Sequence, residues 1–301
     1  MSGALLAFFF KNFIRSLTVM ASPYIATAVK AARRAAQEIT SAAQQLDRLA
    51  IDNKSENDFV TAADRAAEEA ILNVLSSAYP RHAILTEERG LVGNTKSEWM
   101  WIVDPIDGTT NFIHGVPQYA VSIALCRRGE PVVAVVYDVA KNELFTAVKG
   151  EGAFLDNRRI RVSENSEMRR ALIGTGFPFR KGDNFKDYMQ SFMRVTQATA
   201  GVRRPGAASL DLAWVAAGRY DGFWESGLSK WDIAAGGLLV FEAGGLLTDL
   251  EGGEEWLEKG SVCCGNPKIF GQLLPLVGKL PAPEAKPAEA KEEPAAEEDA
   301  K

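Results

Sequence analysis

The stretch Trp101-Ile102-Val103-Asp104-Pro105-Ile106-Asp107-Gly108-Thr109-Thr110-Asn111-Phe112 joins three apolar residues to a group of polar ones. The apolar residues predict a short buried strand. Pro105 predicts that this strand ends and the chain turns, because proline cannot donate to a sheet. Asp104 and Asp107 would then lie together at the strand end, and Gly108 would let the backbone approach a ligand closely. An Asx turn with hydroxyl caps accounts for the same residues without a ligand, so the choice depends on the rest of the chain.

Two helical patterns precede this stretch. Apolar residues spaced by threes and fours predict a long amphipathic helix over residues 23–49. Residues 52–58 break the pattern and indicate a mobile loop, and a second helix then begins within residues 59–64. Thr61 is placed to cap it, with Asp64 completing a box-like cap. An acid at this position is usually a surface residue that favours the helix dipole, and a place at a metal centre is the alternative for Asp64.

Strands and helices alternate along the rest of the chain. A strand over residues 83–85 runs directly into the acids of Thr86-Glu87-Glu88. Asp232 opens a helix whose first turns consist largely of small residues, which would let that helix lie against another backbone; as an N-cap or as a ligand, the acid fits equally well. Further strands are expected at residues 119–126, 132–137, 143–147, 160–162, 171–175, 221–225, 246–250 and 262–264. Further helices are expected at residues 184–198, 207–217 and 267–280.

Composition limits the class of protein. The 301 residues are 47% hydrophobic and 24% charged, as in ordinary globular proteins. The net charge is -5, and residues 281–301, with seven acids and three lysines, supply -4 of it. This Pro/Ala/Glu/Lys tail is expected to be disordered, and the remaining charge favours no nucleic-acid surface. The three cysteines are too few and too unevenly spaced for a disulfide framework, which favours a reducing cytoplasm.

The first 19 residues are interpreted as a flexible N-terminal extension ahead of one domain over residues 20–280. Their apolar run, residues 4–10, precedes its positive charges Lys11 and Arg15, whereas a secretory signal has them before the run. The run is also too short to span a bilayer, so no membrane association is expected. An upstream start before a true initiator Met20 would account for the same residues, and a signal anchor is a further alternative.

Four acids stand at the end of a predicted strand or the start of a predicted helix, namely Glu87, Asp104, Asp107 and Asp232. Such positions converge at one edge of the sheet in layered α/β folds. Carboxylates brought together without cations repel one another. A hard cation that prefers oxygen ligands, such as Mg²⁺, would relieve this repulsion. Two such ions about 4 Å apart support in-line displacement at a phosphate.

Further residues complete this chemistry. The amides of Gly108 and Thr109 would hold the remaining phosphate oxygens. No Ser-His or Cys-His pair is evident, which favours attack by metal-activated water over a covalent intermediate.

Three motifs together resemble the inositol monophosphatase family. They are Thr86-Glu87-Glu88, the stretch from Asp104 to Phe112, and Trp231-Asp232 with Gly236-Gly237. The likeness covers residues 20–280, and the spaced combination is specific where a single motif is not. Within the family the chain is most similar to the bacterial SuhB-type branch, on Asn57-Asp58-Phe59-Val60-Thr61, Gly176-Phe177-Pro178-Phe179 and Arg203-Arg204-Pro205-Gly206-Ala207-Ala208.

The resemblance implies a five-layer αβαβα sandwich of the inositol monophosphatase and fructose bisphosphatase type, usually dimeric, dependent on Mg²⁺ and inhibited by Li⁺. It also implies residue roles. Metal ligands would be Glu87, Asp104, the carbonyl of Ile106, Asp107 and Asp232, with Asp64 reaching a third ion through water. Catalytic residues would be Glu87, Thr109 and Asp107, the first two orienting and deprotonating the attacking water. Substrate contacts would be Gly108, Thr109, Arg203, Glu225 and Asp232.

Three residues depart from the family pattern: Arg89 and Ala207, where a small residue and a hydroxyl residue are commoner, and Cys264. Arg89 could change the mobility of the metal loop, and Ala207 could change substrate contacts. The function implied is hydrolysis of myo-inositol 1-phosphate and similar polyol phosphates. The alternatives are a nucleotide or sugar phosphate phosphatase, and a non-catalytic role with Nus factors and RNA polymerase in ribosomal RNA transcription antitermination.

Overall fold

The computed structural model describes residues 23–46, 51–55, 58–178 and 185–278, and for residues 51–55 and 58–60 it describes the backbone alone. The predicted extension over residues 1–19 and the predicted tail over residues 281–301 lie outside this part of the chain. No helix within the described ranges is long and apolar enough to cross a bilayer.

The helices are short except for the first two. In chain order they are α1 (Pro23–Ala43), α2 (Ala62–Ala78), α3 (Thr109–Ile113), α4 (Phe185–Ala198), α5 (Ala208–Ala216), α6 (Lys230–Glu242), α7 (Trp256–Lys259) and α8 (Pro267–Val277). A 3-10 turn covers Met168–Arg170. The predicted cap of α2 is confirmed: the Thr61 hydroxyl accepts from the backbone N–H groups of Ala63 and Asp64, and the Asp64 carboxylate accepts from the N–H of Thr61.

Two sheets and one hairpin hold the strands. In spatial order the large sheet comprises β10 (Arg158–Arg159), β9 (Gly152–Leu155), β8 (Glu143–Val148), β7 (Glu130–Asp138), β6 (Ala120–Arg127), β5 (Trp99–Asp107), β3 (Ala83–Thr86) and β4 (Gly90–Gly93). The small sheet comprises β12 (Gly201–Arg203), β11 (Leu172–Thr175), β13 (Gly222–Ser226), β15 (Ser261–Gly265) and β14 (Leu246–Thr248). The hairpin pairs β1 (Ile51–Ser55) with β2 (Asp58–Thr61).

Five layers follow from the way the helices cover these sheets. Helices α1 and α2 pack on one face of the large sheet, where Trp101 and Val103 of β5 point into their cluster. The opposite face, including Ile102, meets α5 and α6, which also contact the small sheet. Helices α4 and α8 cover the outer face of the small sheet. Alternate side chains of a strand point to opposite faces, so one apolar run serves two layers. The predicted αβαβα sandwich is confirmed.

The prediction that β5 ends at Pro105 is wrong. The strand continues to Asp107, and its pairing with β6 shifts register between Asp104, opposite Ser122, and Asp107, opposite Ala120. A bulge of one extra residue therefore accommodates Pro105, whose missing N–H costs nothing where the ladder is interrupted.

Other differences concern short elements. The loop expected over residues 52–58 is largely the β1–β2 hairpin. The second helix begins at Ala62, within the range expected. The strand expected at residues 160–162 is wrong, because the edge strand is Arg158–Arg159. The first helix ends at Ala43, before the residue 49 expected. Strand β9, the two edge strands β4 and β12, and the two single-turn helices α3 and α7 have no counterpart in the predicted elements.

Candidate active site

The bulge in β5 sets the positions of two acids. Asp104 is buried, and its Oδ1 accepts from the backbone N–H of Ile106 at 3.0 Å, which closes the turn through Pro105. Asp107 lies beyond the bulge, and its Oδ2 accepts from the backbone N–H of Ser209 at 2.7 Å and from the Ser209 hydroxyl at 2.5 Å. Ser209 lies in the first turn of α5, so a carboxylate of the large sheet caps a helix of the middle layer.

A third acid arrives from α6. Ser229 is the N-cap of this helix, and Asp232, three residues on, completes a capping box by accepting from the Ser229 N–H at 2.7 Å. The small residues of α6 allow close packing, as expected, although the contacts are side chains rather than backbone. A Cβ on Gly236 would lie 2.5 Å from Leu212 of α5, and one on Gly237 would lie 2.6 Å from the Trp256 ring.

These three acids form one cluster. One carboxylate oxygen each from Asp104, Asp107 and Asp232 lies within 4.8 Å of the others. Burial, followed by the charges of Glu87, Asp107 and Asp232, raises the pKa of Asp104 well above its ordinary value. Burial also raises the pKa of Asp107 to about 6, against the lowering effect of its bonds to Ser209. A buried all-carboxylate set of this kind matches the donors that Mg²⁺ prefers, and a hard cation would relieve its mutual repulsion.

The cluster lies in a cleft of about 300 Å³. Most residues that the sequence predicted for the site line this cleft, and they are Glu87, Asp104, Ile106, Asp107, Gly108, Thr109, Glu225 and Asp232. The cleft opens where α5 and α6 of the middle layer meet the end of β5. The structure therefore brings together acids from separate parts of the chain around one opening.

Asp64 lies behind this lining. It is fully buried, its Oδ1 is 3.1 Å from the Thr109 hydroxyl, and its Oδ2 accepts from the N–H and hydroxyl of Thr61 at 2.8 and 2.6 Å. Burial raises its pKa. The Thr109 hydroxyl is also 3.0 Å from the carbonyl of Ile106, so its single proton is donated to one of these two acceptors. Asp64 thus touches the site through Thr109.

The two adjacent arginines point to different places. Arg204 lines the cleft and lies over the Phe177 ring, 5.5 Å from its centroid. Arg203, the arginine predicted to contact substrate, is exposed and donates to its own neighbour, the carbonyl of Val202, at 3.0 Å. Arg203 lines a surface groove beside Trp214, which Arg204 also borders, and it does not line the cleft. The structure therefore brings Arg204, and not Arg203, to the acids.

A junction beside the acids joins distant parts of the chain. Gly108 has a φ of +92°, and a Cβ on it would lie 2.8 Å from the carbonyl oxygen of Gln118. The Asn111 side chain donates to the carbonyls of Gln118 and Pro205, both at 2.8 Å. Glycine is required here because both the left-handed backbone and the close contact exclude a side chain.

Three residues in or beside the cleft were not among the predicted site residues, namely Arg204, Ser209 and Asp211. Asp211 is buried, and its Oδ1 has no hydrogen-bond partner among the described residues. Burial, and then the charges of Glu225 and Asp107, raise its pKa well above the ordinary value. The available signal was the composition of α5. This helix is apolar on every side, which predicts that it is buried, and Asp211 lies within it. Ser209 and Arg204 carry no such signal.

The five layers and the carboxylate-lined cleft define a class, that of layered α/β proteins with a candidate metal centre. The chain belongs to the inositol monophosphatase family, a metal-dependent phosphatase family whose sequence model matches residues 20–281. The resemblance seen in the motifs is thereby confirmed.

Individual relatives match over most of their length. The chain is 51% identical to "Nus factor SuhB" of Pseudomonas aeruginosa over 84% of this chain and 94% of that protein. It is 46% identical to "Inositol-1-monophosphatase" of Mesorhizobium japonicum, covering 83% of this chain and 94% of that protein. The crystal structure of extragenic suppressor protein suhB from Bartonella henselae matches with a TM-score of 0.83 at 42% identity, over 86% of this chain and 99% of that one.

The raised pKa values of Asp104 and Asp107 predict a pH-dependent stabilisation by Mg²⁺. Without metal the folded state holds protons that the unfolded chain has released, so its free energy of unfolding falls as pH rises from about 4 through about 6. A Mg²⁺ ion held by these acids would require them to be deprotonated and would replace those protons. At about 100 times its Kd, Mg²⁺ is expected to add about 2.7 kcal/mol near pH 7.5 and almost nothing near pH 4.5.

Thermal unfolding with Mg²⁺ or EDTA across this pH range measures the effect. In Asp107→Asn the metal-free protein should lose part of its pH dependence, because one of the two raised groups is gone. An equal Mg²⁺ stabilisation at both ends of the range would contradict a carboxylate site.

Proposed function

We propose that the protein is a Mg²⁺-dependent phosphomonoesterase acting on myo-inositol 1-phosphate and similar polyol phosphates. The observation that carries this proposal is the cluster of Asp104, Asp107 and Asp232 at a cleft that Glu87 and Thr109 also line. No other group of three or more potential ligand residues with metal-site spacing occurs among the described residues. Membership of a phosphatase family supports the same reaction class.

The residues that would hold Mg²⁺ are Glu87, Asp104, the carbonyl of Ile106, Asp107 and Asp232. When bound, Mg²⁺ neutralises these acids and polarises both the phosphate and the attacking water. The bonds from Ile106 to Asp104 and from Ser209 to Asp107 hold one oxygen of each acid and would fix the direction in which these two ligands face the metal.

Glu87 and Thr109 would orient and deprotonate the attacking water. The Thr109 hydroxyl donates its proton toward Asp64 or Ile106, so its oxygen lone pairs are left to accept from the water. Glu87 would take up the proton, as a carboxylate general base within the same cleft. The backbone N–H groups of Gly108 and Thr109 would hold the phosphate oxygens, and the alkoxide released on P–O cleavage would take up a proton from solvent water.

The alcohol side of the cleft supports a polyhydroxylated substrate. Glu225 lines it, and a Cβ on Gly176 would lie 1.8 Å from Glu225 Oε1, so the glycine leaves room for this carboxylate. Glu225 would accept from the hydroxyl groups of the alcohol, as would Asp232. Arg204 and Trp231 also line the cleft, and a cation beside hydroxyl-binding acids suits a polar alcohol rather than an apolar one.

Phosphate release tests the proposal. The full chain is assayed with myo-inositol 1-phosphate in EDTA, with Mg²⁺, and with Mg²⁺ plus Li⁺, beside fructose 1,6-bisphosphate and 3'-phosphoadenosine 5'-phosphate. We expect Mg²⁺-dependent, Li⁺-sensitive turnover that is fastest with the polyol phosphate. A folded protein that binds Mg²⁺ but releases no phosphate from the polyol ester would rule out this assignment.

The adjacent arginines provide a matched pair of variants. Arg204→Ala is expected to raise KM for the polyol phosphate about tenfold, the equivalent of about 1.4 kcal/mol, because a cation is lost from the cleft. Arg203→Ala should stay within about twofold of the wild type, since this side chain does not line the cleft. Steady-state kinetics on both proteins make the comparison. A larger effect for Arg203→Ala would show that substrate extends into the groove beside Trp214.

We also propose an association with Nus factors and RNA polymerase, with the protein acting in the cytoplasm as a homodimer. The support for the association is the name "Nus factor SuhB" of the P. aeruginosa relative at 51% identity. The three cysteines, all free and buried, fit a reducing compartment. Transcription antitermination by the wild type and by Asp107→Asn tests the association, because a non-catalytic role survives this substitution. Light scattering measures the oligomeric state, and a monomer would contradict the dimer.

A further inference from the structure

We propose that Glu68 and Arg89 form a tether that positions the loop carrying Glu87 and thereby sets the affinity of the site for Mg²⁺. The inference rests on the proposed metal site, but not on the identity of the substrate. Neither residue lines the cleft, so both act through Glu87 as positioning residues.

Glu68 is a fully buried acid on α2, and both of its oxygens face the Glu87 loop. Its Oε2 accepts from the backbone N–H of Glu88 at 3.0 Å, and its Oε1 lies 3.1 Å from Nε of Arg89. A buried carboxylate is stable only when it is paired and hydrogen-bonded. The position of the loop relative to α2 therefore determines whether Oε2 keeps its hydrogen bond and whether Oε1, which has no hydrogen bond among the described residues, keeps its ion pair.

The loop itself is a closed turn. Its first residue, Thr86, accepts at its hydroxyl from the N–H of Arg89 at 3.2 Å and lies 3.3 Å from the carbonyl of Gly90. The N–H of Glu87 donates to the carbonyl of Val103 on β5 at 3.3 Å, which ties the same turn to the strand that carries Asp104. Because the turn is closed, holding it at Glu88 and Arg89 also holds Glu87.

The same helix also fixes the opposite side of the site. Asp64 precedes Glu68 by four residues, so the two acids lie on one face of α2, one turn apart. Asp64 contacts the Thr109 hydroxyl at 3.1 Å, while Glu68 holds the N–H of Glu88. Helix α2 therefore sets the distance between Thr109 and Glu87, the two residues proposed to orient the attacking water.

Arg89 is the component that departs from the family pattern, and it is bound from both sides. It contacts the buried Glu68 and, with its terminal nitrogen, the exposed Glu69. The ion pair with Glu69 is solvated and contributes little, whereas the pair with Glu68 compensates a buried charge. Removing Arg89 leaves that charge without its cation and lets the loop shift, and Glu87 shifts with it.

Isothermal titration of Mg²⁺ tests the tether on the full chain. Arg89→Ala and Glu68→Gln are each expected to weaken Mg²⁺ binding about tenfold, the effect typical of partners that orient a metal ligand. Glu68→Gln keeps the size of the side chain and an acceptor for the Glu88 N–H. The double variant should bind about as weakly as either single one, because both remove the same interaction. Glu69→Gln is the matched control and should stay within about twofold of the wild type.

Three results distinguish a tether from a contact that only stabilises the fold. A lower melting temperature without metal, together with an unchanged Mg²⁺ Kd in both variants, would assign a purely structural role and overturn the inference. The inference would also be overturned if the loss of Mg²⁺ affinity in the double variant equalled the product of the losses in the two single variants. Weaker Mg²⁺ binding in both variants supports the tether even if the wild type hydrolyses none of the phosphate esters, a result that would overturn the proposed function alone.

Discussion

Replacing Asp107 by asparagine is expected to lower phosphate release by more than about a hundredfold. This loss exceeds the roughly 10- to 100-fold effect of changing a residue that only orients a metal ligand, because Asp107 is itself a proposed ligand. Asp107 belongs to the three-acid cluster and would be shared between two ions. The amide keeps an oxygen that can accept from Ser209, so the first turn of α5 remains capped. The effect on turnover is therefore one of charge rather than of misfolding.

Stability measurements distinguish these two causes. Above about pH 6 the metal-free Asp107→Asn protein should be more stable than the metal-free wild type, because one buried charge has been removed from the cluster. Asp249→Asn is the matched control. Asp249 is also buried and accepts from the N–H groups of Gly253 and Glu251 at 2.7 and 2.9 Å, but it does not line the cleft.

Asp249→Asn should lower the melting temperature and leave turnover of the remaining folded protein unchanged. If Asp107→Asn retained more than about a tenth of the wild-type turnover, the acid cluster could not be the catalytic metal site.

Replacing Gly108 by alanine is expected to affect both stability and turnover. The left-handed backbone at φ +92° costs alanine about 1–3 kcal/mol, and the contact of 2.8 Å with the Gln118 carbonyl adds a comparable penalty. The chain can relieve the contact only by moving the turn that carries Asp107 and Thr109. A displacement of about 1 Å there is enough to lower turnover about a hundredfold.

Gly129→Ala is the control for this variant. Gly129 has a similar φ of +87°, but a Cβ on it meets nothing within 4 Å. It should lose about 1–3 kcal/mol through backbone strain and keep its turnover. Denaturant unfolding of the two variants measures their loss of stability, and phosphate release measures their turnover. The backbone strain is common to both variants, so a difference between them reports the steric contact at Gly108. Equal turnover in the two variants would contradict the role assigned to the turn at Gly108.

The acids of the site could be predicted because their signals are local. Each stands at the point where an apolar run or a run of small residues meets polar sequence, and layered α/β folds bring such points together. The path between Asp104 and Asp107 could not be predicted in the same way. Proline fits both the end of a strand and a bulge within one, so the local sequence does not distinguish the two. The pairing of β5 with β6 decides between them.

The choice between Arg203 and Arg204 also depends on structure beyond the local sequence. Strand β12 ends at Arg203, and only Arg204, the residue after the strand, lines the cleft. Sequence patterns locate element ends only within a few residues, so they could not decide which of the two arginines reaches the cleft. Ser209 was missed for a related reason, because its partner Asp107 lies 102 residues earlier in the chain.

Short strands at the sheet edges were not predicted because their sequences show no recognisable hydrophobic pattern. β4 and β12 contain four and three residues, too few for alternation to show, and neither is buried on both faces. By contrast, β6 and β7 were predicted from long apolar runs, which are buried almost throughout, and α1 from the helical period of its apolar face.

The bonds from Asp107 to Ser209 and from Asn111 to Pro205 have a consequence for biosynthesis. They join residues 102 and 94 positions apart, and Asp232 lies further along still. A ribosome delivers the first two acids of the cluster long before the third, so a nascent chain carries an incomplete set of ligands until α6 has emerged from the exit tunnel. Binding of the proposed Mg²⁺ at all three acids would therefore have to follow the synthesis of α6.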